Sequence, residues 1–421
     1  MGKANEGLCN TGVIFLGEGF LISEDAANHL LPDRSSRLAG CIKPYRSGRD
    51  INQRNRNLWI IDLDGQSIDE VRRIAPRIYQ HLLATVKPER ELNREAYRRE
   101  NWWLFARPNT ELRQAIEKQS RYIATVLTSK HRNFSFVSGD IMPDQTLVCI
   151  ASNDAALLGI LSSRIHIVWS LRAGGWLGVG NDSRYLKTRC FDPFPFPEMN
   201  NIQQQTIRTI AEELDSHRRR VLAQHDHLAL TSIYNVLEKL RAGVAHGDLD
   251  EKERKIFDDG LVLILKELHD RLDRAVAQAF GWPVDLSDEE ILTRLVALNK
   301  QRAAEERSGL VRWLRPDYQI PRFAKGLDRQ AAEEVGAQVA AQLDVTAKEQ
   351  KPSFPTSAVE QTAAVFGALA RASAPLSAAA IAAQFRKTKT GEAKIAGVLA
   401  SLARLGHVTT DGKEFALRRV A

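Results

Sequence analysis

Hydrophobic and polar positions are arranged in two different ways along the chain, and the change falls near residue 200. Before it, short runs of β-branched and aromatic residues are bounded by Gly, Asp or Asn, which is typical of strands. These runs lie at 58–65, 121–127, 134–137 and 145–152. Two stretches between them, 67–86 and 153–174, have helical spacing, and Asn153 is the expected N-cap of the second. The pattern predicts a mixed α/β domain over residues 1–200.

The segment CFDPFPFPEM (190–199) ends this domain, because three prolines in five residues cannot continue a helix or a central strand. Beyond it, apolar residues recur at helical spacing. The predicted helices cover 203–222, 230–243, 253–282 and 287–308. Ser287 and Glu290 form a capping box ahead of the last one. Residues 201–323 are therefore predicted to form an all-helical domain.

The remaining residues predict a linker and a small C-terminal domain. Residues 324–357 are rich in Ala, Gln, Glu and Lys and end in KPSFPTS, which indicates a linker. Residues 358–421 predict three helices and a hairpin that turns at Asp411-Gly412. This is the element order of a winged helix. The whole chain is thus predicted to be α+β, with a winged-helix-like domain at its C-terminal end.

Charge adds a candidate partner to this picture. The chain has 421 residues, 43% of them hydrophobic, and a formal net charge of +7. Lysines and arginines outnumber acidic residues by eleven to six between Lys87 and Arg132, and by eight to three between Arg386 and Arg419. Two local basic regions favour a polyanionic partner, with double-stranded DNA as the first candidate.

The compartment is predicted to be the cytoplasm. Four cysteines are scattered without a CxxC pair, which argues for a reducing environment and against a zinc site. The first ten residues do not resemble a secretion signal, and no apolar run is long enough to span a membrane. We therefore expect no membrane partner.

No catalytic, cofactor-binding or metal-binding residue is predicted in this chain. It contains no GxxxxGK[ST] loop, no GxGxxG after a strand, no Asp/Asn-Pro-Pro-aromatic loop and no clear PD…ExK cluster. Gly17 and Gly19 form a short Gly-x-Gly that is more typical of a turn. His217, His225 and His227 are eight and two residues apart rather than four, so a solvated helix face is the preferred interpretation.

Residues 94–107, REAYRRENWWLFAR, place two tryptophans among arginines. One interpretation is core filling, with arginine stems lying along apolar surface. The other is that Arg98 and Arg99 follow a phosphate backbone while a ring packs on sugar or base. If Trp102 and Trp103 are neighbours on a strand, one ring faces the core and the other faces DNA. The sequence does not decide which.

Two further segments combine charge with hydrogen-bonding groups. Residues 48–57, GRDINQRNRN, alternate arginines with Asn and Gln, and these side chains read guanine and adenine edges. Residues 130–132, Lys-His-Arg, are predicted to form a basic loop tip between two strands. The complete set of predicted DNA-binding residues is Arg49, Asn52, Arg54, Arg56, Arg98, Arg99, Trp102, Trp103, Lys130, His131, Arg132, Lys187, Arg189, Lys387 and Lys389.

Three strings resemble the target-recognition domain of MmeI-like adenine-specific DNA methyltransferases, which occur in restriction-modification and phage-defence systems. They are GRDINQRNRNLWIIDL, VKPERELNREAYRRENWWLFARPN and RYIATVLTSKHRNFSFV, and later motifs such as TRCFDPFPFPE and RWLRPDYQ follow in the same order. The resemblance covers about residues 10–325. It implies sequence-specific recognition of duplex DNA and delivery of a target adenine to a catalytic domain that flips it out.

The chain departs from this family at its start. Family members place a domain that binds S-adenosylmethionine, with its Asn/Asp-Pro-Pro-aromatic loop, ahead of this region, whereas here Met1 lies just before it. We expect a split or truncated enzyme whose cofactor and catalysis belong to a methyltransferase domain or subunit. The alternatives are a stand-alone DNA-binding specificity subunit or regulator, and a structural partner whose basic regions are only solvated faces.

Overall fold

The computed structural model describes residues 2–30, 38, 40–177, 182–324, 353–355, 357–372, 375–386, 390–404 and 408–417. The chain folds into two compact units, Met1–Ala332 and Glu333–Ala421.

Among the described residues of the first unit, the strands form three sheets. Their bounds are β1 Cys9–Thr11, β2 Leu21–Ile22, β3 Ile42–Arg46, β4 Trp59–Ile61, β5 Arg121–Val126, β6 Thr128–Ser129, β7 Ser135–Ser138, β8 Met142–Pro143, β9 Leu147–Ile150, β10 Gly175–Leu177 and β11 Asp182–Arg184. The sheets have the orders β1-β9-β5-β7, β2-β4-β3-β8 and β10-β11-β6. Each of the four predicted runs contains a strand, so those predictions are confirmed.

Nine α-helices lie among the described residues before residue 200. They are α1 Glu24–Leu30, α2 Gly48–Asn52, α3 Ile68–Ile74, α4 Pro76–Thr85, α5 Lys87–Glu91, α6 Ala96–Glu100, α7 Thr110–Ile116, α8 Ala155–Ser162 and α9 Arg164–Ala173. One core lies around β5 and β9, where Ile123 pairs with Ile150 and both are fully buried. A second core lies around β4, where Ile60 and Ile61 are fully buried.

Both long helices predicted here are divided in two. The helix over 67–86 breaks before Pro76, which lacks the N–H needed to continue a helix but suits a first-turn position. The helix over 153–174 breaks at Ser163, whose hydroxyl donates to the Ile160 carbonyl. Asp154, and not Asn153, accepts the capping bond from the Ala156 N–H. The prediction that Asn153 is the cap was wrong by one residue.

A helical layer follows, as the apolar spacing predicts. Its helices are α10 Asn201–Gln224, α11 Leu230–Arg241, α12 Glu251–Asp259, α13 Val262–Phe280, α14 Asp288–Arg307 and α15 Pro316–Phe323. Ser287 and Glu290 form the predicted capping box. The single helix predicted over 253–282 is two helices, because the chain turns at Gly260 and at Leu261, whose φ is +46°.

The helical layer shares a hydrophobic core with helices from the first 200 residues. Ile160 of α8, Ile207 of α10 and Leu272 of α13 belong to one buried cluster. Gly159 allows this close approach, since a Cβ on it would lie 2.6 Å from the Ile207 side chain. Phe194, from the proline-rich segment, is buried in the same cluster. The domain boundary near residue 200 stays a prediction.

The second unit contains α16 Ala358–Arg371, α17 Ala378–Ala382, α18 Gly391–Arg404, β12 Val408–Thr410 and β13 Phe415–Leu417. The two strands pair antiparallel, with Thr410 opposite Phe415 around the predicted turn. Val365, Ile381 and Leu399 are buried where the helices meet. The predicted order of three helices and a hairpin is confirmed, whereas its assignment as a winged helix stays a prediction. Most of the predicted linker lies outside the described residues.

Across the described part of the chain, we find no helix with the length and apolar character needed to cross a bilayer.

Candidate nucleic-acid interface

Residues 47–57, which we call the ridge, begin at the cap of α2 and are linked by side-chain hydrogen bonds. The Ser47 backbone N–H and hydroxyl both donate to the Asp50 carboxylate, at 2.9 and 2.7 Å. Arg56, near the other end of the ridge, binds the same carboxylate. Its Nε donates to Asp50 Oδ1 and its Nη2 donates to Asp50 Oδ2, each at 2.9 Å. Burial alone would raise the pKa of Asp50, but these hydrogen bonds from Arg56 and Ser47 hold it well below its usual range.

Two cavities lie on either side of this ridge. The first, which we call the Arg49 cleft, has a volume of about 630 Å³. It is lined by groups that include Arg49, Asn52, Gln53, Arg56, Thr128, Lys130, Asp182 and Thr231. The second, the Arg54 cavity, has a volume of about 560 Å³. It is lined by groups that include Arg46, Gln53, Arg54, Asn55, Asn57, Arg219 and Asp226. Gln53 lines both, so the ridge presents Arg, Asn and Gln side chains to both sides.

The Arg49 cleft brings together four predicted residues from two segments of the sequence, namely Arg49, Asn52 and Arg56 from 48–57 and Lys130 from 130–132. Arg49 is exposed, and no described residue forms an ion pair or hydrogen bond with its guanidinium. The exposed Lys130 donates its Nζ to Asn235 Oδ1 at 2.6 Å. Asn52 donates to the Ser129 hydroxyl at 2.8 Å, which ties the ridge to β6. The cleft therefore combines a free cation, a second cation and a fixed amide.

The Arg54 cavity places Arg54 against the helical layer. Its Nη2 lies 3.3 Å from Asp226 Oδ1, and both side chains are mostly exposed. An exposed pair of this kind contributes little stability, so Arg54 is available for an anionic ligand. Arg46 and Arg219 also line this cavity, and the sequence analysis missed both. Arg219 lies within α10 and Arg46 is the last residue of β3. Neither belongs to a local sequence motif that would indicate a binding residue.

An exposed aromatic residue, Trp176, lies on a strand pair that is joined to the wall of the Arg49 cleft. Trp176 and Leu177 of β10 are 51% and 44% exposed. Trp176 pairs with Ser183, and Leu177 pairs with Asp182, which lines the cleft. This hairpin is joined to β6 through the pairing of Ser183 with Ser129. Trp176 was not predicted from the sequence, although the many glycines around it in GGWLGVG were an available signal.

Arg132 and His131 do not lie on this surface. Arg132 is 7% exposed and donates to the Val126 carbonyl, to Thr125 Oγ1 at 3.1 Å and to the Ser183 carbonyl at 2.8 Å. Burial lowers the pKa of Arg132 to about 10. His131 is also buried, with Glu238 and Asn235 as partners of its two ring nitrogens. The loop tip is basic only at Lys130, because the other two side chains fold inward.

The tryptophan pair belongs to the core. Residues 101–104 form a turn and not a strand, so the expectation of opposite faces was wrong. Trp102 is 8% exposed, and its ring meets the Trp103 ring edge-on at 6.0 Å. Trp103 donates its Nε1 to the Gln66 carbonyl at 2.9 Å. Neither ring lines the two cavities.

The arginines beside this pair serve local structure. Arg98 pairs with Glu95 at 3.0 Å, and Arg99 donates to the carbonyls of Asn93 and Arg94 at 2.8 and 3.0 Å. Neither lines the Arg49 cleft or the Arg54 cavity. Arg99 remains exposed at the surface of α6.

Much of the basic excess between residues 87 and 132 is neutralised or buried within the protein. Arg90 is fully buried and donates to the carbonyls of Phe15 and Leu104, each at 2.7 Å. Arg113 forms a bidentate pair with Asp62 at 2.7 and 3.0 Å, and Arg121 pairs with Glu212. A charge count along the sequence therefore overstates the positive field at the surface.

The other predicted contacts lie away from the ridge or outside the described residues. Lys187 and Arg189 belong to a short π-helix, Lys187–Phe191. Burial raises the pKa of Asp192 to about 6, and the positive charge of Lys187 partly opposes that rise. Lys387 and Lys389 lie outside the described residues.

The histidines are not one solvated helix face. His217 is 4% exposed within α10, and burial lowers its pKa, with a further contribution from Arg220. His225 and His227 lie in the turn after α10, close to Asp259 at the end of α12. The interpretation of the three histidines as a solvated helix face was wrong, because α10 ends at Gln224, before His225 and His227.

Comparison with known proteins agrees with the family resemblance. Residues 10–198 match the family model described as MmeI, target recognition domain. DNA methyltransferase A of Bacillus subtilis (strain 168) is 27% identical over 163 residues, which are 38% of this chain and 15% of that protein. A solved structure of the Type IIL restriction-modification enzyme MmeI in complex with DNA has a TM-score of 0.53 at 17% identity.

That structural match covers 72% of this chain and 36% of the MmeI chain. The chain therefore spans about a third of the solved enzyme and a smaller part of the Bacillus protein. The likeness in fold extends beyond residues 10–198 into the helical layer. The resemblance to an MmeI-type target-recognition domain, drawn from the sequence motifs, is confirmed over residues 10–198.

Proposed function

We propose that the first unit binds duplex DNA and reads its sequence with the ridge of residues 47–57. It serves as the recognition part of an adenine-specific DNA methyltransferase in a restriction-modification or phage-defence system. The observation that carries the proposal is the ridge itself, which a family match places within a target-recognition domain. Free and weakly paired arginines stand there beside amide side chains, between two cavities.

The chemistry of the ridge suits base edges. A guanidinium donates two parallel hydrogen bonds to guanine O6 and N7, and an Asn or Gln amide pairs with adenine N6 and N7. Arg49 and Gln53 offer these groups, while the Asp50–Arg56 pair holds the backbone between them in place. Such a preorganised ridge loses little conformational entropy when it binds.

Lys130 and Trp176 supply contacts of a different kind. The Lys130 ammonium is a point charge at the cleft wall, suited to a phosphate. Trp176, on the strand next to β11, presents an exposed apolar ring suited to packing on a sugar or an unstacked base. These contacts position the duplex and add affinity, whereas the ridge chooses the sequence.

We assign S-adenosylmethionine and catalysis to a methyltransferase domain or subunit. Neither cavity beside the ridge is formed by a glycine-rich loop between a strand and a helix, the arrangement that cradles a nucleotide-like cofactor. The residues described here would hold the duplex while that partner flips the adenine.

The test is selection of duplexes from a random pool, followed by affinity measurements at several salt concentrations. We expect one enriched sequence, bound at least about 10³-fold more tightly than scrambled DNA. Equal affinity for every duplex would leave only a non-specific DNA-binding protein. A complete lack of DNA binding would favour the alternative in which this chain is a structural partner of another protein and its basic regions are only solvated faces.

Methyl transfer by the chain alone is a separate test. Purified protein incubated with labelled S-adenosylmethionine and the selected duplex is expected to leave adenine unlabelled. Label on adenine above background would refute the assignment of catalysis to a partner, while leaving sequence recognition intact.

A further inference from the structure

Three potential metal ligands converge where the turn after α10 meets the end of α12. They are His225, His227 and Asp259, and one ligand atom from each lies within 4.8 Å of the others. Nε2 of His227 is 3.1 Å from Asp259 Oδ2, and Nδ1 of His225 is 3.9 Å from the same oxygen. The side chains are 34%, 40% and 28% exposed in that order, so solvent reaches the group.

We propose that these three side chains bind one divalent first-row metal ion such as Zn²⁺. The bound ion would hold the turn between α10 and α11 against α12. Two imidazole nitrogens and one carboxylate oxygen are a donor set that Zn²⁺, Co²⁺ and Ni²⁺ accept, whereas Mg²⁺ and Ca²⁺ prefer oxygen alone. The site does not depend on the proposed function.

The spacing of the donor atoms fits such an ion. Zinc binds imidazole and carboxylate at about 2.0–2.2 Å, which puts tetrahedral ligands roughly 3.4 Å apart. The two separations from Asp259 Oδ2, 3.1 and 3.9 Å, lie on either side of this value. Partial exposure leaves room for water to complete the coordination.

An ordinary ion pair explains the cluster less well. A single ion pair joins one imidazole to one carboxylate, whereas here nitrogens of two imidazoles lie near the same carboxylate oxygen, as ligands of one shared ion do. His246 provides the contrast in the same region, since its Nε2 lies 3.9 Å from Asp258 Oδ1 and is not part of a described three-ligand group.

The position of the turn gives the ion a structural consequence. Asp226, between the two histidines, and Leu228 line the Arg54 cavity. Thr231, at the start of α11, lines the Arg49 cleft and donates its hydroxyl to the Asn52 carbonyl at 3.5 Å. An ion that holds residues 225–227 against α12 therefore fixes one wall of both cavities.

The experiment uses the full chain, stripped of metal with a chelator and titrated with Co²⁺ and Zn²⁺. We expect one ion per chain, a visible Co²⁺ spectrum that is displaced by Zn²⁺, and slower hydrogen exchange at residues 225–231 in the loaded protein. His225→Ala and Asp259→Asn are each expected to weaken binding at least about 10-fold. His246→Ala is the matched control, and it should bind as wild type does.

Circular dichroism of the metal-free variants shows whether they fold. If wild type takes up no more Co²⁺ than His225→Ala, or if His246→Ala loses binding equally, the site is refuted. If the ion binds but hydrogen exchange at residues 225–231 is unchanged, the ion does not fix the turn. That result would refute the structural role proposed for the ion.

Discussion

At the scale of single residues, the surroundings of an arginine decide its role. Arg49 is exposed and unengaged by described groups, Arg56 is held by Asp50, and Arg132 is buried among carbonyls. All three are equally basic in the sequence. Only Arg49 retains the full set of donors that a guanine edge requires.

Replacement of Arg49 by alanine is expected to weaken binding of the selected duplex by about 1–3 kcal/mol and to relax the choice of base at one position. Fluorescence anisotropy with the selected duplex and its single-base variants measures both effects. Arg73→Ala is the control, because Arg73 is exposed in the same domain and lines neither cavity. Unchanged base preference in Arg49→Ala would contradict the assignment.

Lys130→Ala is expected to act differently. Loss of one phosphate contact lowers affinity for all duplexes alike and reduces the slope of log K against log salt by about one. Binding isotherms at several salt concentrations, with selected and scrambled DNA, separate the two variants. A change confined to the selected duplex would instead indicate that Lys130 reads a base.

Arg132→Ala is expected to cost stability, because the carbonyls of Val126 and Ser183 lose their buried donor. We expect a loss of about 3 kcal/mol in the free energy of unfolding. All seven tryptophans lie in the first unit, so urea unfolding followed by tryptophan fluorescence reports on that unit alone. Lys130→Ala is the neighbouring control and should leave the midpoint unchanged. Normal stability with lost DNA binding would restore Arg132 to the interface.

Asp192 gives the first unit a pH dependence. Its folded-state pKa of about 6 lies above the ordinary value of 3.8, mainly through burial, and Oδ1 has no hydrogen-bond partner. A raised pKa means that the stability Asp192 contributes is present below about pH 4 and is lost as the pH rises through about 6.

Asp192→Asn should therefore become more stable relative to wild type between about pH 4 and about pH 7. Urea midpoints across that range measure the difference. Asp285→Asn, at an exposed position, is the control. A difference that is constant with pH would show that Asp192 does not titrate in this window.

At the scale of elements, the hairpin β10-β11 and the ridge act together because β6 joins them. Asn52 donates to Ser129 of β6, and Ser129 pairs with Ser183 of β11. The exposed ring of Trp176 is thus carried on a strand pair that shares a wall with the ridge.

Trp176→Ala is expected to weaken duplex binding by about 1–3 kcal/mol, since an exposed ring loses its packing on sugar or base. Trp176→Phe should retain most of the affinity. Tyr97→Ala, which removes another exposed aromatic ring in the same domain, is the control. Anisotropy that shows equal affinity for Trp176→Ala and wild type would remove the hairpin from the interface.

At the scale of the whole molecule, the second unit is expected to add affinity without choosing the target. Its helix α18 is built mainly from Ala, Leu, Ile and Val, which offer few hydrogen bonds to a major groove. Deletion of the chain after Ser357 should lower affinity at low salt and leave the selected sequence unchanged. A truncated chain that selects a different sequence would show that the second unit reads bases.

The sequence by itself determined the elements and the ridge. Runs of β-branched and aromatic residues placed β4, β5, β7 and β9, helical spacing placed the helical layer, and the motif GRDINQRNRN marked the segment between the two cavities. These features are local, because strand alternation, caps and prolines act within a few residues. They were therefore readable without any knowledge of contacts.

Only the tertiary structure decided which charged and aromatic side chains face outward. Arg90, Arg132 and Trp102 are buried, while Trp176 is exposed. Each outcome depends on distant partners, such as Phe15 for Arg90 and Ser183 for Arg132. A buried cation is stable only where carbonyls or carboxylates from elsewhere in the chain meet it, and local sequence does not contain that information.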